Sequence, residues 1–143
     1  MRKPLQLLLG LFGATSIFIS LLHVILGPAA IPGSMPVNAT MDSEDRFYAT
    51  LFMAYGAVLL WCVKDLERKS RVVWFLALTF FAGGLARLVS MAVVGPPNNF
   101  FIAMTVIELL LPLIIVFMQS RVTVPMKARS NGKTDARASE RGA

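Results

Sequence analysis

Long stretches without charged side chains are the feature that most constrains the fold of this chain. Residues 5–26 form a run of 22 residues with no charged side chain. As an α-helix this run is about 33 Å long, enough to cross a hydrocarbon core of about 30 Å. Three further runs, 47–63, 72–94 and 100–118, contain one arginine and one glutamate between them. We therefore predict an all-α integral membrane four-helix bundle over residues 1–120.

The composition agrees with this class and excludes others. Apolar residues make up 56% of the chain and charged residues 15%, against about 45–50% and 25% in soluble domains. A single cysteine, Cys62, and a single histidine give no internal disulfide, no Cys-x-x-Cys motif and too few ligands for a zinc site. No nucleophile–base arrangement or phosphate loop stands in the sequence. We expect a protein that is not an enzyme and holds no metal or cofactor.

The basic residues predict the orientation in the membrane. Twelve of the fourteen lysines and arginines flank the N-terminus, the connection between the second and third spans, or the C-terminus. Because basic residues concentrate on the cytoplasmic side, we expect both termini of a multi-pass membrane protein to lie in the cytoplasm. The net charge of +6 then reflects topology, and no nucleic acid is expected as a partner.

Two segments outside the spans carry their own predictions. Residues 27–45 contain three prolines and two glycines, so no helix is expected there, and Asp42 or Ser43 is the predicted N-cap of the second helix. Residues 121–143 have almost no apolar side chains after Met126. We predict a disordered basic cytoplasmic tail there.

The ionisable residues inside the spans are His23, Arg87 and Glu108. Charges at membrane depth are costly and normally face a partner or a water-filled cavity. The third and fourth spans are joined by only five residues, 95–99, so they must form an antiparallel hairpin in which Arg87 and Glu108 lie at the same depth. An ion pair between these two side chains is the simplest prediction.

Small and polar residues recur at helical spacing in the spans. Gly13, Ser16, Ser20, His23 and Gly27 line one face of the first span, which is predicted to point into the bundle. Gly83 and Gly84 are predicted to let another helix approach closely. Pro112 is predicted to kink the fourth helix, because it leaves the carbonyl of Glu108 without its helical donor.

We predict that His23, Arg46, Arg87 and Glu108 converge on a polar pocket in the outer half of the bundle, with positive charge in excess. Such a pocket suits an anionic or carbonyl-bearing amphipath such as a lipid head group, a quinone or a fatty acid. Two alternatives stay open. In the first, the chain is a structural or accessory subunit that packs against a membrane-protein partner or a second copy. In the second, it is a quinone-linked redox accessory protein.

The order of these signals resembles a known family. The signals are His23, Asp42-x-x-x-Arg46-Phe47, Gly83-Gly84-Leu85-Ala86-Arg87-Leu88, Gly95-Pro96-Pro97, and Glu108 followed by Pro112. They resemble the bacterial four-helix membrane proteins grouped as the domain of unknown function 4345, over about residues 5–119. The resemblance implies a small bacterial inner-membrane protein. The layout is also similar to that of the DoxX-like four-helix membrane proteins, some of which are quinone-linked accessory subunits.

Overall fold

The computed structural model describes residues 1–123 and contains four α-helices of 25 residues each. They are α1 (Arg2–Leu26), α2 (Ala39–Val63), α3 (Ser70–Val94) and α4 (Asn99–Thr123). At 1.5 Å per residue each helix is about 37 Å long, and all four are long and apolar enough to cross a membrane. The predicted all-α fold with four membrane-compatible helices is confirmed. The predicted tail, apart from its first residues in α4, lies outside the described residues.

The second helix begins earlier than its sequence predicted. Asn38 caps α2, since its side chain accepts a hydrogen bond from the backbone nitrogen of Met41 at 2.9 Å, so the predicted N-cap at Asp42 or Ser43 is wrong. A short 3-10 helix at Gly27–Ala30 also forms where no helix was expected. All three prolines of the segment 27–45 precede Asn38, so they do not prevent a helix after it. The sequence did not indicate the early start because the first turns of α2 are polar and lie outside the apolar run 47–63.

The helices form two antiparallel hairpins, α1 with α2 and α3 with α4, and most interhelical contacts lie within them. We call the end of the bundle that carries Arg2, the connection 64–69 and Gln119 the terminal end. The opposite end, which carries the segments 27–38 and 95–98, is the connection end. Gln6 meets Val63 toward the terminal end and His23 meets Asp45 toward the connection end, which fixes the antiparallel arrangement of the first hairpin.

The apolar core that all four helices share lies in the terminal half. Its buried members come from every helix and from the connection 64–69: Leu5, Leu9, Leu59, Cys62, Leu66, Val73, Leu76, Ala77, Ile115 and Val122. Next to it the two hairpins are linked by aromatic contacts, with the rings of Phe12 and Phe80 4.6 Å apart. The hydroxyl of Tyr55 donates to the carbonyl of Leu76 at 2.9 Å.

Side-chain donors satisfy backbone carbonyls at the terminal end. The last carbonyls of a helix have no partner within the helix. Gln6 donates to the carbonyl of Val63 at 2.9 Å, and Gln119 donates to that of Leu66 at 2.7 Å. Lys69 donates to the carbonyl of Trp61 at 2.6 Å. Residues from α1 and the connection therefore hold the C-terminal end of α2, and a residue of α4 holds the connection that follows it.

Glycines allow close approach in both hairpins. A Cβ atom at Gly13 would lie 2.8 Å from the backbone oxygen of Gly56, and one at Gly56 would lie 2.7 Å from that of Gly13. Gly84 is buried, and a Cβ there would meet Leu109 at 3.0 Å and Glu108 at 3.1 Å. Gly83 is exposed, with nothing within 4 Å of an added Cβ, so no helix within residues 1–123 approaches it closely. Adjacent residues on a helix point about 100° apart, and of this pair Gly84 is the one that faces α4.

Candidate functional site

The ion pair expected between α3 and α4 is present. Arg87 Nε donates to Glu108 Oε2 at 2.7 Å. The Glu108 side chain is 12% exposed and that of Arg87 is 41% exposed, so the carboxylate lies inside the hairpin and the guanidinium reaches its surface. Pro112, which lacks an N–H, stands four residues after Glu108 inside α4 and removes the helical donor of the Glu108 carbonyl.

Arg87 lines an open cavity of about 290 Å³ at the connection end, which we call the Arg87 groove. Its walls are formed by the end of α3, the start of α4 and both connections of this end: Ile31, Arg87, Ser90, Met91, Pro97 and Phe101. The Cζ atom of Arg87 lies 5.4 Å from the centre of the Phe101 ring, within the distance of a cation–π contact. The groove is therefore lined mainly by apolar side chains, with the guanidinium of Arg87 as its one cationic group.

The segment 27–38 brings the first hairpin to the groove. Ile31 forms part of the wall, and Gly33, whose φ is 79°, sits so close to Asn98 that an added Cβ would meet its side chain at 3.1 Å. Glycine adopts this backbone conformation at no steric cost. The contact places the segment beside the connection 95–98, so the Arg87 groove is formed by both hairpins.

His23 is paired within the first hairpin. Its Nδ1 lies 3.1 Å from both carboxylate oxygens of Asp45, and an ionised carboxylate accepts, so Nδ1–H is the donor. The two side chains are 22% and 18% exposed. An aspartate on Nδ1 fixes the tautomer that leaves Nε2 unprotonated when the ring is neutral.

Arg46 uses all of its nitrogens within the first hairpin. Nε and one terminal nitrogen donate to the two carboxylate oxygens of Asp42 at 2.9 and 3.1 Å. The other terminal nitrogen donates to the carbonyls of Val24 and Ile25 at the end of α1. Pro28 stands four residues after Val24 and has no N–H, so Arg46 supplies the donor that the helix lacks.

The structure divides the four predicted site residues between two clusters. His23 and Arg46 lie on the first hairpin with aspartate partners, whereas Arg87 and Glu108 lie on the second. Within residues 1–123 no hydrogen bond or ion pair joins the two clusters. The predicted excess of positive charge is wrong, because three carboxylates pair with these two arginines and the histidine.

Sequence reasoning missed the pairing roles of Asp42 and Asp45 and most of the groove wall. Asp42 stands four residues before Arg46, a spacing at which ion pairs form on a helix, so this signal was available. Asp45 is 22 residues from its partner and carries no such signal. Among the residues the structure describes, no group of three or more His, Cys, Asp and Glu side chains could hold a metal ion.

The fold and this site define a class: a four-helix bundle with membrane-compatible helices and an arginine–glutamate pair beside an open groove. The chain belongs to the family described as Domain of unknown function (DUF4345), whose model matches residues 4–119. The match includes all four helices except the ends of α1 and α4. No curated protein and no solved structure matches the chain.

Proposed function

We propose that this protein is a non-enzymatic membrane protein that binds a small amphipathic ligand or lipid in the Arg87 groove. One observation carries the proposal. The two terminal nitrogens of Arg87 make no hydrogen bond within residues 1–123, since only Nε is used, by Glu108. Charged groups at membrane depth normally face a partner or a water-filled cavity, and the groove that Arg87 lines is open and otherwise mainly apolar.

The polar groups of the site support a binder more than an enzyme. Acid–base catalysis needs a proton-transferring group within hydrogen-bond reach of the substrate. His23 is held by Asp45 on the other hairpin and does not line the groove, and Glu108 is engaged by Arg87. A quinone-linked redox role would use the same groove, with the quinone as ligand.

Retention of a bound amphipath tests the proposal. Native mass spectrometry of the purified protein, released from a mild nonionic detergent, is expected to show an added mass in the lipid range. Arg87→Ala should lose this mass. Leu88→Ala, an exposed neighbour outside the groove wall, serves as the matched control and should keep it. A wild-type spectrum without adduct, or equal retention in both variants, contradicts the proposal.

A second candidate is a structural or accessory subunit that packs against a membrane-protein partner or a second copy. The observation that favours it is the exposed face of α3 with Thr79, Gly83 and Ser90, because small residues at helix surfaces permit close helix contacts in membranes. Gly83→Leu would block such a contact. Size-exclusion chromatography with light scattering should then show a smaller complex than wild type. An unchanged mass contradicts this candidate.

We further propose a bacterial inner-membrane location with the terminal end in the cytoplasm. The described basic residues at that end outnumber those at the connection end, where Arg46 opens the second apolar run. Reporter fusions test this orientation. A fluorescent protein at the C-terminus should fluoresce, and alkaline phosphatase inserted after Pro36 should be active. The reverse pattern contradicts the proposal.

A further inference from the structure

The two arginines of the connection end differ in how completely their donors are used. Arg46 donates from all three nitrogens to Asp42 and to two backbone carbonyls. Arg87 donates from Nε alone, within the part of the chain that the structure describes. Arg46 is therefore satisfied by the protein itself, while the planar end of Arg87 keeps two neighbouring nitrogens available.

The other polar groups of the groove are also donors or are already engaged. Ser90 stands one turn after Arg87, lines the groove and is exposed. Its hydroxyl makes no hydrogen bond within residues 1–123. Glu108 is nearly buried, and one of its oxygens accepts from Arg87. A ligand head in this groove meets the unused N–H donors of Arg87 and the Ser90 hydroxyl, which can donate as well as accept.

The geometry points to a membrane amphipath with an anionic head of two or more oxygens, a carboxylate or a phosphate, as the ligand of the Arg87 groove. This inference rests on the proposed function and names its ligand class. The two terminal nitrogens of a guanidinium match two oxygens of one anion in a bidentate arrangement. A quinone offers one carbonyl oxygen at a time, and an amine head group brings further donors to a site that already has them.

The position of the groove indicates how such a molecule would lie. Ile31 and Pro97 belong to the connections, beyond the ends of the helices, whereas Met91 and Phe101 belong to α3 and α4. The groove thus runs from the bundle end to the level of the Arg87 guanidinium. Its volume of about 290 Å³ is at the lower limit of pockets that enclose drug-sized ligands. It takes the head and the first carbons, and leaves the remaining chain in the bilayer.

A panel of defined probes tests the ligand class. Wild-type protein in nonionic detergent is titrated by native mass spectrometry with oleate, dioleoyl phosphatidic acid, oleyl alcohol, a short-chain ubiquinone and inorganic phosphate. We expect oleate or phosphatidic acid, or both, to bind more tightly than oleyl alcohol and ubiquinone. Their relative affinities show whether a carboxylate or a phosphate is preferred. Inorganic phosphate should bind weakly, because it has no chain to bury.

Variants locate the binding. Arg87→Ala should weaken anion binding by about 10- to 100-fold, the range of a lost charge-assisted hydrogen bond. Arg87→Lys keeps the charge without the planar fork and should still lose about tenfold. Leu88→Ala should leave the affinity unchanged. Melting temperatures measured for each variant ensure that only folded protein is compared.

Glu108→Gln tests the direction in which anion affinity changes when the negative charge is removed. The amide oxygen can still accept from Arg87 Nε, so the guanidinium keeps its position, but the negative charge beside the groove is gone. Binding of an anion should therefore strengthen by several-fold, whereas a neutral ligand should show little change. A weaker affinity for oleate and phosphatidic acid in this variant overturns the inference.

The outcomes separate this inference from the proposed function. If oleyl alcohol or ubiquinone binds as tightly as the anions, and does so through Arg87, the inference is wrong and the proposed function stands. If inorganic phosphate binds as tightly as phosphatidic acid, the ligand is a free anion and the amphipath assignment is wrong. If no amphipath depends on Arg87, both the inference and the proposed function are wrong.

Discussion

The two hairpins contain similar elements but differ in the hydrogen bonding of their arginines. Each contains a glycine at the helix crossing, an arginine paired with a carboxylate, and a proline that removes a backbone donor. In the α1–α2 hairpin Arg46 donates to the carbonyl of Val24, which Pro28 leaves without a helical donor. In the α3–α4 hairpin no side chain in residues 1–123 donates to the carbonyl that Pro112 leaves without a helical donor.

This difference shows that the number of unused hydrogen-bond donors separates a structural arginine from a candidate ligand-binding one better than depth does. Arg46 and Arg87 both lie toward the connection end, both pair with an acid, and their side chains are 39% and 41% exposed. Only the bonding of the terminal nitrogens differs. All nitrogens of Arg46 donate within the first hairpin. Arg87 of the second hairpin keeps two terminal nitrogens that make no hydrogen bond within residues 1–123.

The largest expected effect comes from the glycines. Gly56→Ala should destabilise the protein by about 1–3 kcal/mol, the usual range for overpacking, because the new methyl group would lie 2.7 Å from the backbone oxygen of Gly13, which cannot rotate away as a side chain can. Gly83→Ala adds the same methyl group in open space and should change stability by less than about 0.5 kcal/mol. Unfolding in detergent measures both. Equal effects contradict the close crossing of α1 and α2.

The arginines themselves give the next comparison. Arg46→Ala should lower the melting temperature more than Arg87→Ala does, because it leaves the carbonyl of Val24 without a donor and Asp42 without its partner. Thermal unfolding of the two variants in the same detergent measures the difference. A larger drop for Arg87→Ala would mean that the α3–α4 pair is the main structural one.

A charge reversal separates stability from binding in the second hairpin. Arg87→Ala and Glu108→Ala should each destabilise by at least about 0.6 kcal/mol, the average coupling energy of polar pairs between membrane helices, because each also leaves the other charge without its partner. The double variant Arg87→Glu with Glu108→Arg should regain most of this, since the pair re-forms. It should not regain amphipath binding, because the guanidinium then extends from α4. Recovery of both properties would show that the position of the arginine is unimportant.

The smallest effect is expected at Ser90. Ser90→Ala removes an exposed hydroxyl with no partner in the described residues, so its stability should stay within about 0.5 kcal/mol of wild type. Affinity for oleate or phosphatidic acid should fall by about threefold, as for one neutral hydrogen bond. Native mass spectrometry measures the affinity, and an unchanged value removes Ser90 from the ligand contacts.

The sequence predicted the fold and one of the three ion pairs toward the connection end. The pair of Arg87 and Glu108 was predictable because a five-residue connection fixes which residues of two antiparallel helices are level. The same argument did not reach His23 and Asp45, because the connection there is longer and α2 begins within the segment assigned to the loop. Where the connection length is uncertain, the register of the hairpin is uncertain too.

The groove could not be predicted from the sequence. One of its walls is Ile31, which lies in an irregular segment without periodicity, and its position depends on how that segment packs against the connection 95–98. The roles of Gly83 and Gly84 were also beyond reach, since a Gly-Gly pair does not reveal which member faces the other helix. Both features are consequences of packing between elements, and local sequence patterns describe single elements.

The capping of α1 by Arg46 makes the end of the first helix depend on the second helix. Pro28 leaves the carbonyl of Val24 without a helical donor, and the group that bonds it stands on α2. Unsatisfied carbonyls are costly away from water, so the first helix is complete only once the second lies beside it. Separating α1 from α2 would therefore leave a carbonyl of α1 without a donor and Arg46 without one of its acceptors.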